Sequence, residues 1–169
     1  MIKKDISAYF SNKKMLFAFW DAENKQHLYT QQNWLAPLKK LFGKVVTFGT
    51  QKNYFNYGRE RMNSMFLEAV RKEMPDYIFF LVIYDEFDPA IFYDIKKINP
   101  KIKIIHMLSD DSWRYEDFGR YYAPLADYVI SGYHKNVPLH KKAGIKDVWF
   151  FIPLNTHFLK PEKNEKKYD

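Results

Sequence analysis

The chain has 169 residues, of which 47% are hydrophobic and 19% aromatic. That length suits one domain with a sizeable core, and that apolar content excludes an intrinsically disordered chain. Because the sequence contains no Cys, disulfides and thiolate metal sites are excluded as well. The net charge is +7, but the lysines are spread along the chain, which favours an ordinary solvated surface over a nucleic-acid-binding patch.

The sequence predicts neither a transmembrane helix nor a signal peptide. No apolar run approaches the roughly 18 residues that a membrane-spanning helix needs. The first five residues, Met1 to Asp5, are not followed by the apolar core and small-residue cleavage site of a signal peptide. Together with the absence of Cys, these features predict a cytoplasmic protein.

The first strand is predicted from Lys14 to Phe19, where a continuous apolar run is typical of a strand buried on both faces. It ends in Trp20 rather than in the glycine-rich turn of a dinucleotide-binding fold, which argues against NAD or FAD at this position. A helix is predicted from Thr30 to Phe42, with Trp34 in the core, and a second strand from Lys44 to Phe48.

Residues 51–58 are polar and aromatic, and they predict a loop. Such a loop has the chemistry to touch a sugar or a base, but a surface loop with a buried Phe is the favoured interpretation. The clearest helix follows from Arg59 to Met74, because its apolar residues recur at helical spacing. Its methionines, Met62 and Met65, are predicted to fill the core.

The middle of the chain reads as strand, helix and strand. A continuous apolar run from Tyr77 to Ile83 predicts the third strand, and Ile102 to Leu108 predicts the fourth. Between them, Asp88 and Pro89 are typical of a helix start, with Asp88 as the capping residue. Strands joined through a helix are expected to run parallel with a right-handed crossover. His106 lies within the fourth strand and is predicted to be a core histidine with satisfied ring nitrogens.

The rest of the chain predicts two short helices and two more strands. A short helix follows Trp113, and a second is predicted from Val137 to Ala143, started by Pro138. Strands five and six are predicted at residues 127–131 and 147–152. The expected fold is therefore α/β, a three-layer Rossmann-like domain with a mostly parallel sheet of about six strands. That domain is expected to cover residues 1–158, with residues 159–169 as a charged, mobile tail.

Ligands of open parallel sheets bind outside the carboxyl ends of the strands, and this is where the acids of the sequence fall. Asp110 and Asp111 follow the fourth strand, and we predict them as catalytic carboxylates that hold or deprotonate a hydroxyl group. Further side chains follow the other strands at the same edge and are predicted to bind substrate: Asp21, Asp85, Glu86, Trp113, Arg114, Tyr133 and His134. Glu23, Asn155 and His157 also follow strands. No His pair and no calcium-loop spacing occurs, so no metal site is predicted.

Structural roles compete with these assignments. Asp110 or Asp111 has the position to cap the following helix, although two adjacent acids exceed what one cap needs. A response-regulator arrangement is mimicked by Asp21, Asp85, Ser109 and Lys135. The sixth strand and the lack of an adjacent acid pair after the first strand argue against that arrangement.

Three stretches of the second half resemble glycosyltransferases of the GT-B architecture, and they are most similar to the spore-maturation CgeB-like group. They are MPDYIFFLVIYDEFDP (74–89), IIHMLSDDSWRYEDF (104–118) and ADYVISGYHKNVPLHKKAGIKDVWFFIPLNTHFLKP (126–161). In the last stretch Asp127 opens the fifth strand and Gly144 precedes the sixth. The first half of the chain fits the family only by topology.

This resemblance implies two Rossmann-like domains that face each other across a cleft. The first domain would bind a glycan or another hydroxyl acceptor, and the second would bind the nucleotide-sugar donor. The chain would then be the acceptor-binding half, with no cofactor of its own and with the donor held by a separate domain or a second copy. The alternative is a non-catalytic sugar- or protein-binding Rossmann-like module.

Overall fold

The computed structural model describes residues 6–21, 29–82 and 84–152. Its six strands are β1 (Lys14–Phe19), β2 (Lys44–Gly49), β3 (Tyr77–Leu81), β4 (Lys103–Leu108), β5 (Tyr128–Ser131) and β6 (Val148–Phe150). Every pair of neighbouring strands is parallel. The predicted six-stranded parallel sheet is therefore confirmed.

Helices connect the strands. They are α1 (Ile6–Phe10), α2 (Ala36–Leu41), α3 (Thr50–Glu73), α4 (Ala90–Ile98), α5 (Asp111–Arg114), α6 (Arg120–Tyr122) and α7 (Val137–Lys142). A π-helical turn, Gln31–Leu35, leads into α2, and a second one, Tyr115–Gly119, joins α5 to α6. Short 3-10 turns at Ala123–Leu125 and His134–Asn136 precede β5 and α7. Within the described residues, none of these helices has the length and apolar content needed to cross a bilayer.

The strand order is β2-β1-β3-β4-β5-β6. This is the flavodoxin-like order with a sixth strand added beside β5, and its topological switch point lies between β1 and β3. The order was not predictable from the apolar runs, because those runs report burial and not pairing. It matters for function, because a crevice opens outside the carboxyl ends of the strands at such a switch point.

Both faces of the sheet are covered, which explains why the strands are continuously apolar. On β1, Leu16 and Ala18 face one hydrophobic cluster, which also contains residues of α3 and α4. Met15 and Phe17 face the other cluster, which contains Trp34 and Leu35 from the π-helical turn before α2. This is the expected three-layer arrangement, and Met62, 0% exposed, fills the core as predicted.

The predicted loop at residues 51–58 is wrong, because helix α3 begins at Thr50. The amides of Gln51 and Lys52 donate hydrogen bonds to Asp21 Oδ1, at 2.8 and 3.3 Å, and so stabilise the first turn of the helix. That carboxylate comes from the end of β1, far away in sequence, so no local pattern predicts the helix. Gly58 interrupts α3 with φ 77° and ψ 169°, and the chain is helical again from Arg59.

Smaller expectations have mixed outcomes. Asp88 Oδ1 accepts a hydrogen bond from the amide of Ala90 at 2.9 Å, so its predicted capping role is confirmed.

His106 is fully buried as predicted, but the prediction that its ring nitrogens have hydrogen-bond partners is wrong. Neither of its nitrogens has a hydrogen-bond partner among the described residues. The predicted tail at residues 159–169, together with Glu23, Asn155 and His157, lies outside the described residues.

Candidate functional site

A cavity of about 220 Å³ lies at the carboxyl edge of the sheet, beside the switch point. Its lining comes from residues at or just after the carboxyl ends of β1, β3, β4, β5 and β6, and from the helical turn that leads into α2. The side chains that matter below are Trp20, Tyr29, Trp34, Ser109 and Asp110. The cavity therefore combines three aromatic rings with the hydroxyl groups of Tyr29, Thr30 and Ser109 and the carboxyl group of Asp110.

The aromatic walls are held in different ways. Trp34 is only 6% exposed, and its indole contacts the ring of Phe79 on β3 with centroids 5.0 Å apart. It is a core residue, as predicted, and it also lines the cavity. Trp20 directly follows β1 and is partly exposed. Burial raises the pKa of the Tyr29 phenol, so this hydroxyl stays protonated at neutral pH.

Among the described side chains that line the cavity, Asp110 brings the only carboxyl group. It occupies the N-cap position of α5, where its backbone oxygen accepts from the amide of Arg114 at 3.0 Å. Its side chain makes no capping hydrogen bond, so the alternative prediction of a capping role is wrong for Asp110. The carboxyl group is partly exposed and also lines a small neighbouring cavity of about 10 Å³. It is thus available to a ligand.

Asp111, its neighbour, points into the protein and is 2% exposed. Its Oδ2 accepts a hydrogen bond from Ser131 Oγ at 2.5 Å and lies 2.9 Å from His140 Nε2. The side-chain amide of Asn136 donates to its backbone oxygen. Asp111 therefore ties the start of α5 to the end of β5 and to the segment that begins α7.

The second oxygen of this buried carboxyl group, Oδ1, has no hydrogen-bond partner among the described residues. It lies against Gly119, where an added Cβ would stand 2.5 Å from it. Both residues line the small 10 Å³ cavity, whose volume is about that of one water-sized probe. A ligand in the larger cavity meets Asp110 and not Asp111, because Asp111 does not line that cavity.

The remaining acids predicted to bind substrate have separate surroundings. Asp21 Oδ1 accepts from the first amides of α3, as described above. Asp85 is 69% exposed, and its Oδ2 lies 3.9 Å from an Arg59 nitrogen. Glu86 is 1% exposed, and its Oε2 accepts from the amide of Tyr84 at 3.0 Å. Of these acids, Asp85 is the most exposed, Asp21 is partly exposed and Glu86 is buried.

The other predicted binding residues surround the edge without lining the larger cavity. Trp113 is 68% exposed. The guanidinium of Arg114 lies over the ring of Phe118, 4.6 Å from its centroid, and Arg114 lines the small cavity. Tyr133 is partly buried, with its amide donating to Ser131 Oγ at 3.1 Å. His134 is exposed and is in contact with the Tyr133 ring.

Ion-paired carboxyl groups concentrate at the opposite, amino edge of the sheet. Burial tends to raise the pKa of the Asp127 carboxyl, but hydrogen bonds from Lys96 and from the amide of Ile104 outweigh it and lower that pKa. The pKa of the Asp76 carboxyl is lowered in the same way, because hydrogen bonds from the Lys14 amide and the Lys13 side chain outweigh the effect of burial. These groups join strands to their connections, and they do not line the cavity.

Comparisons with known proteins give no relative from which the role of this site could be taken. No protein-family model, no curated protein and no solved structure matched this chain. In the part of the chain that the structure describes, no group of three or more His, Asp or Glu side chains is placed to hold a metal ion.

The sequence analysis missed two of the cavity residues as ligand contacts, Trp20 and Tyr29. Trp20 follows the carboxyl end of β1, the position at which the acids were selected, so its place in the chain was a usable signal. Tyr29 had no such signal, because its role depends on how the turn before α2 packs beside β1 and β3.

Proposed function

We propose that this chain is the acceptor-binding domain of a glycosyltransferase of the GT-B type and that it binds a sugar in the cavity. The observation that carries the proposal is the free carboxyl group of Asp110 in a cavity walled by Trp20, Tyr29 and Trp34. Aromatic rings pack on the apolar C–H faces of a sugar, whereas a carboxylate accepts hydrogen bonds from its hydroxyl groups. The resemblance of residues 74–161 to the GT-B family supports the same assignment.

In this proposal Asp110 acts as the general base. Its carboxylate takes the proton from one acceptor hydroxyl, and the acceptor oxygen then forms a bond to the anomeric carbon of a nucleotide sugar. The bond from that carbon to the nucleoside diphosphate breaks, and the diphosphate leaves with the electron pair. The donor is supplied by a separate domain or by a second copy. Asp111, from its buried position, fixes the backbone that carries Asp110.

The binding step is tested first. Saturation-transfer NMR with a panel of mono- and oligosaccharides is expected to show binding that Trp20→Ala weakens. Tyr93→Ala is the matched control, because Tyr93 is also an exposed aromatic residue, 62% exposed, but lies on α4 and not on the cavity. If no saccharide binds, or if the Trp20 variant binds as well as the parent, the proposal fails.

A non-catalytic sugar-binding module is the second candidate. It is favoured by the absence, among the described residues, of a hydrogen bond that orients the Asp110 carboxyl group. Asp110→Asn separates the two functions in a strain that lacks the native gene. The variant is expected to keep sugar binding and to fail to restore the glycan product if the chain belongs to a transferase. Full restoration would assign it to the binding-module class.

A further inference from the structure

We infer that the ligand is a glycan of at least two sugar residues, because a second binding surface lies next to the cavity. We call this surface the outer subsite, and it consists of Phe55, Tyr84 and Asp85. The inference rests on the proposed sugar-binding function and adds the class of ligand. Its three residues come from different parts of the carboxyl edge, the first turns of α3 and the segment after β3.

Trp20 connects the cavity to the outer subsite. Its indole lines the cavity and also contacts the rings of Phe55 and Tyr84, with centroids 6.1 and 5.6 Å apart. Both contacts are edge-on, at interplanar angles of 73° and 71°. An edge-on contact leaves ring faces uncovered by the partner ring. The three rings therefore form one continuous aromatic strip that begins inside the cavity and ends outside it.

The outer rings are unusually exposed for apolar side chains. Phe55 is 69% exposed and Tyr84 is 52% exposed. Single exposed apolar residues need no explanation, but rings that are contiguous with a cavity mark a candidate interaction site. Asp85, next to Tyr84, adds an exposed carboxylate whose Arg59 contact of 3.9 Å is long for an ion pair. Exposed rings beside a carboxylate repeat the chemistry of the cavity itself.

The size of the cavity supports a longer ligand. At about 220 Å³ it falls below the roughly 300–1,000 Å³ of typical small-molecule sites. One sugar ring is the natural occupant of such a space, and any further residue must lie outside it. The aromatic strip is the surface that continues from Trp20, the ring that also lines the cavity.

Charged groups of both signs surround the aromatic strip. Asp85 and Asp110 contribute carboxylates, while an Arg59 nitrogen lies 3.9 Å from Asp85 Oδ2 and the Arg114 guanidinium lies 5.9 Å from the centroid of the Tyr84 ring. A neutral glycan offers hydroxyl donors to the carboxylates and apolar ring faces to the aromatic strip. The outer subsite therefore has the chemistry that a glycan needs.

The structure also explains how Phe55 is held at this edge. Residues 50–57 form a helical segment that Asp21 caps at one end and Gly58 terminates at the other. The Asn53 side-chain amide donates to the backbone oxygen of Gly49 at 2.7 Å, which adds a second contact at the start of the segment. The segment is thus fixed at its start, and it presents Phe55 to the Trp20 ring.

Three saccharide pairs test the inference by isothermal titration: glucose with cellotriose, N-acetylglucosamine with chitotriose, and mannose with mannotriose. In the series that binds, the trisaccharide is expected to bind at least about 5-fold more tightly than its monosaccharide, since aromatic contacts contribute about 0.5–1.5 kcal/mol each. Phe55→Ala and Tyr84→Ala are each expected to weaken trisaccharide binding about 2- to 10-fold and to leave monosaccharide binding unchanged. Tyr84→Phe, which keeps the ring, is expected to bind like the parent.

The outcomes separate the inference from the proposed function. Equal affinity for monosaccharide and trisaccharide, with no effect of Phe55→Ala or Tyr84→Ala, overturns the outer subsite and leaves the cavity function standing. Failure of every saccharide to bind overturns both. A variant that weakens both ligands equally contradicts a separate subsite as well. Tyr93→Ala is the control for loss of an exposed ring, and circular dichroism checks that each variant is folded.

Discussion

His106 lies on β4 with none of its surface exposed, packed among aromatic rings. The ring centroids of Phe80, Phe92, Phe118 and Tyr122 lie 5.8 to 6.1 Å from the centroid of the imidazole. Burial lowers the pKa of this histidine from 6.5 to about 3, and the charge of Asp111 acts weakly in the opposite direction. Acid should therefore unfold the protein partly through this one side chain.

The sign and size of this loss of stability in acid follow from proton linkage. Above pH 6.5 the imidazole is neutral in both the folded and the unfolded chain, so it adds no pH dependence. Between the two pKa values, 6.5 and about 3, only the unfolded chain binds the proton, and the free energy of unfolding falls as the pH falls. One pH unit corresponds to about 1.4 kcal/mol, so lowering the pH from 7 to 4.5 should cost about 3 kcal/mol through His106.

His106→Leu removes the titrating group while keeping an apolar side chain of similar volume. We expect this variant to be at least as stable as the parent at pH 7, because the imidazole leaves two buried nitrogens without partners. Urea unfolding, followed by circular dichroism from pH 7 to pH 4.5, measures both profiles. The gap between variant and parent should widen by about 3 kcal/mol over that range.

A matched control is Ile104→Val, on the same strand and the same face of the sheet, where Ile104 is also fully buried. It should lower the free energy of unfolding by about 1 kcal/mol at every pH, with a profile parallel to that of the parent. The reasoning about His106 is refuted if the His106→Leu profile also runs parallel to the parent. In that case the acid sensitivity of the fold resides in other groups.

Two further predictions concern the carboxyl edge. Asp111→Ala should lower the free energy of unfolding by about 3 kcal/mol, because it leaves Ser131 and His140 without their buried partner. Asp110→Ala should change the free energy of unfolding by less than about 0.5 kcal/mol, because the Asp110 side chain makes no capping hydrogen bond. Equal effects in urea unfolding would contradict the different placement of the two acids. Gly58→Ala should cost about 1–3 kcal/mol through backbone strain alone, since φ is 77° and no atom lies within 4 Å of the added Cβ. The control is Ser64→Ala, because Ser64 is an exposed helical position in α3. If the Gly58 variant were as stable as this control, the backbone of α3 at residue 58 would tolerate a conformation with negative φ.

The strands were predictable because parallel strands covered on both faces are continuously apolar, and the run from Lys14 to Phe19 matches β1 residue for residue. The helical segment at residues 50–57 was not predictable for two reasons. Its cap is Asp21, which becomes a neighbour only when β1 and β2 pair. Its aromatic residues lie on the surface, so they produce no apolar periodicity.

The location of the candidate site at the carboxyl edge of the sheet was predictable, but the orientation of its side chains was not. Parallel strands bring their carboxyl ends to one edge, and the sequence places acids there. Which acid faces a ligand depends on partners that are distant in the chain. Ser131, Asn136 and His140 draw Asp111 inward, and no feature of the Asp110-Asp111 pair itself distinguishes the two residues.

This division of roles explains why two acids stand side by side. Hydrogen bonds from β5 and from the segment that begins α7 hold both the side chain and the backbone oxygen of Asp111. The preceding residue, Asp110, is thereby fixed by contacts that its own carboxyl group does not make. The carboxyl group remains available to a ligand while its position is set by elements outside the cavity. Under the proposed function, replacing Asp111 should therefore disturb stability and sugar binding together, whereas Asp110→Asn should alter only the proton transfer from the bound hydroxyl.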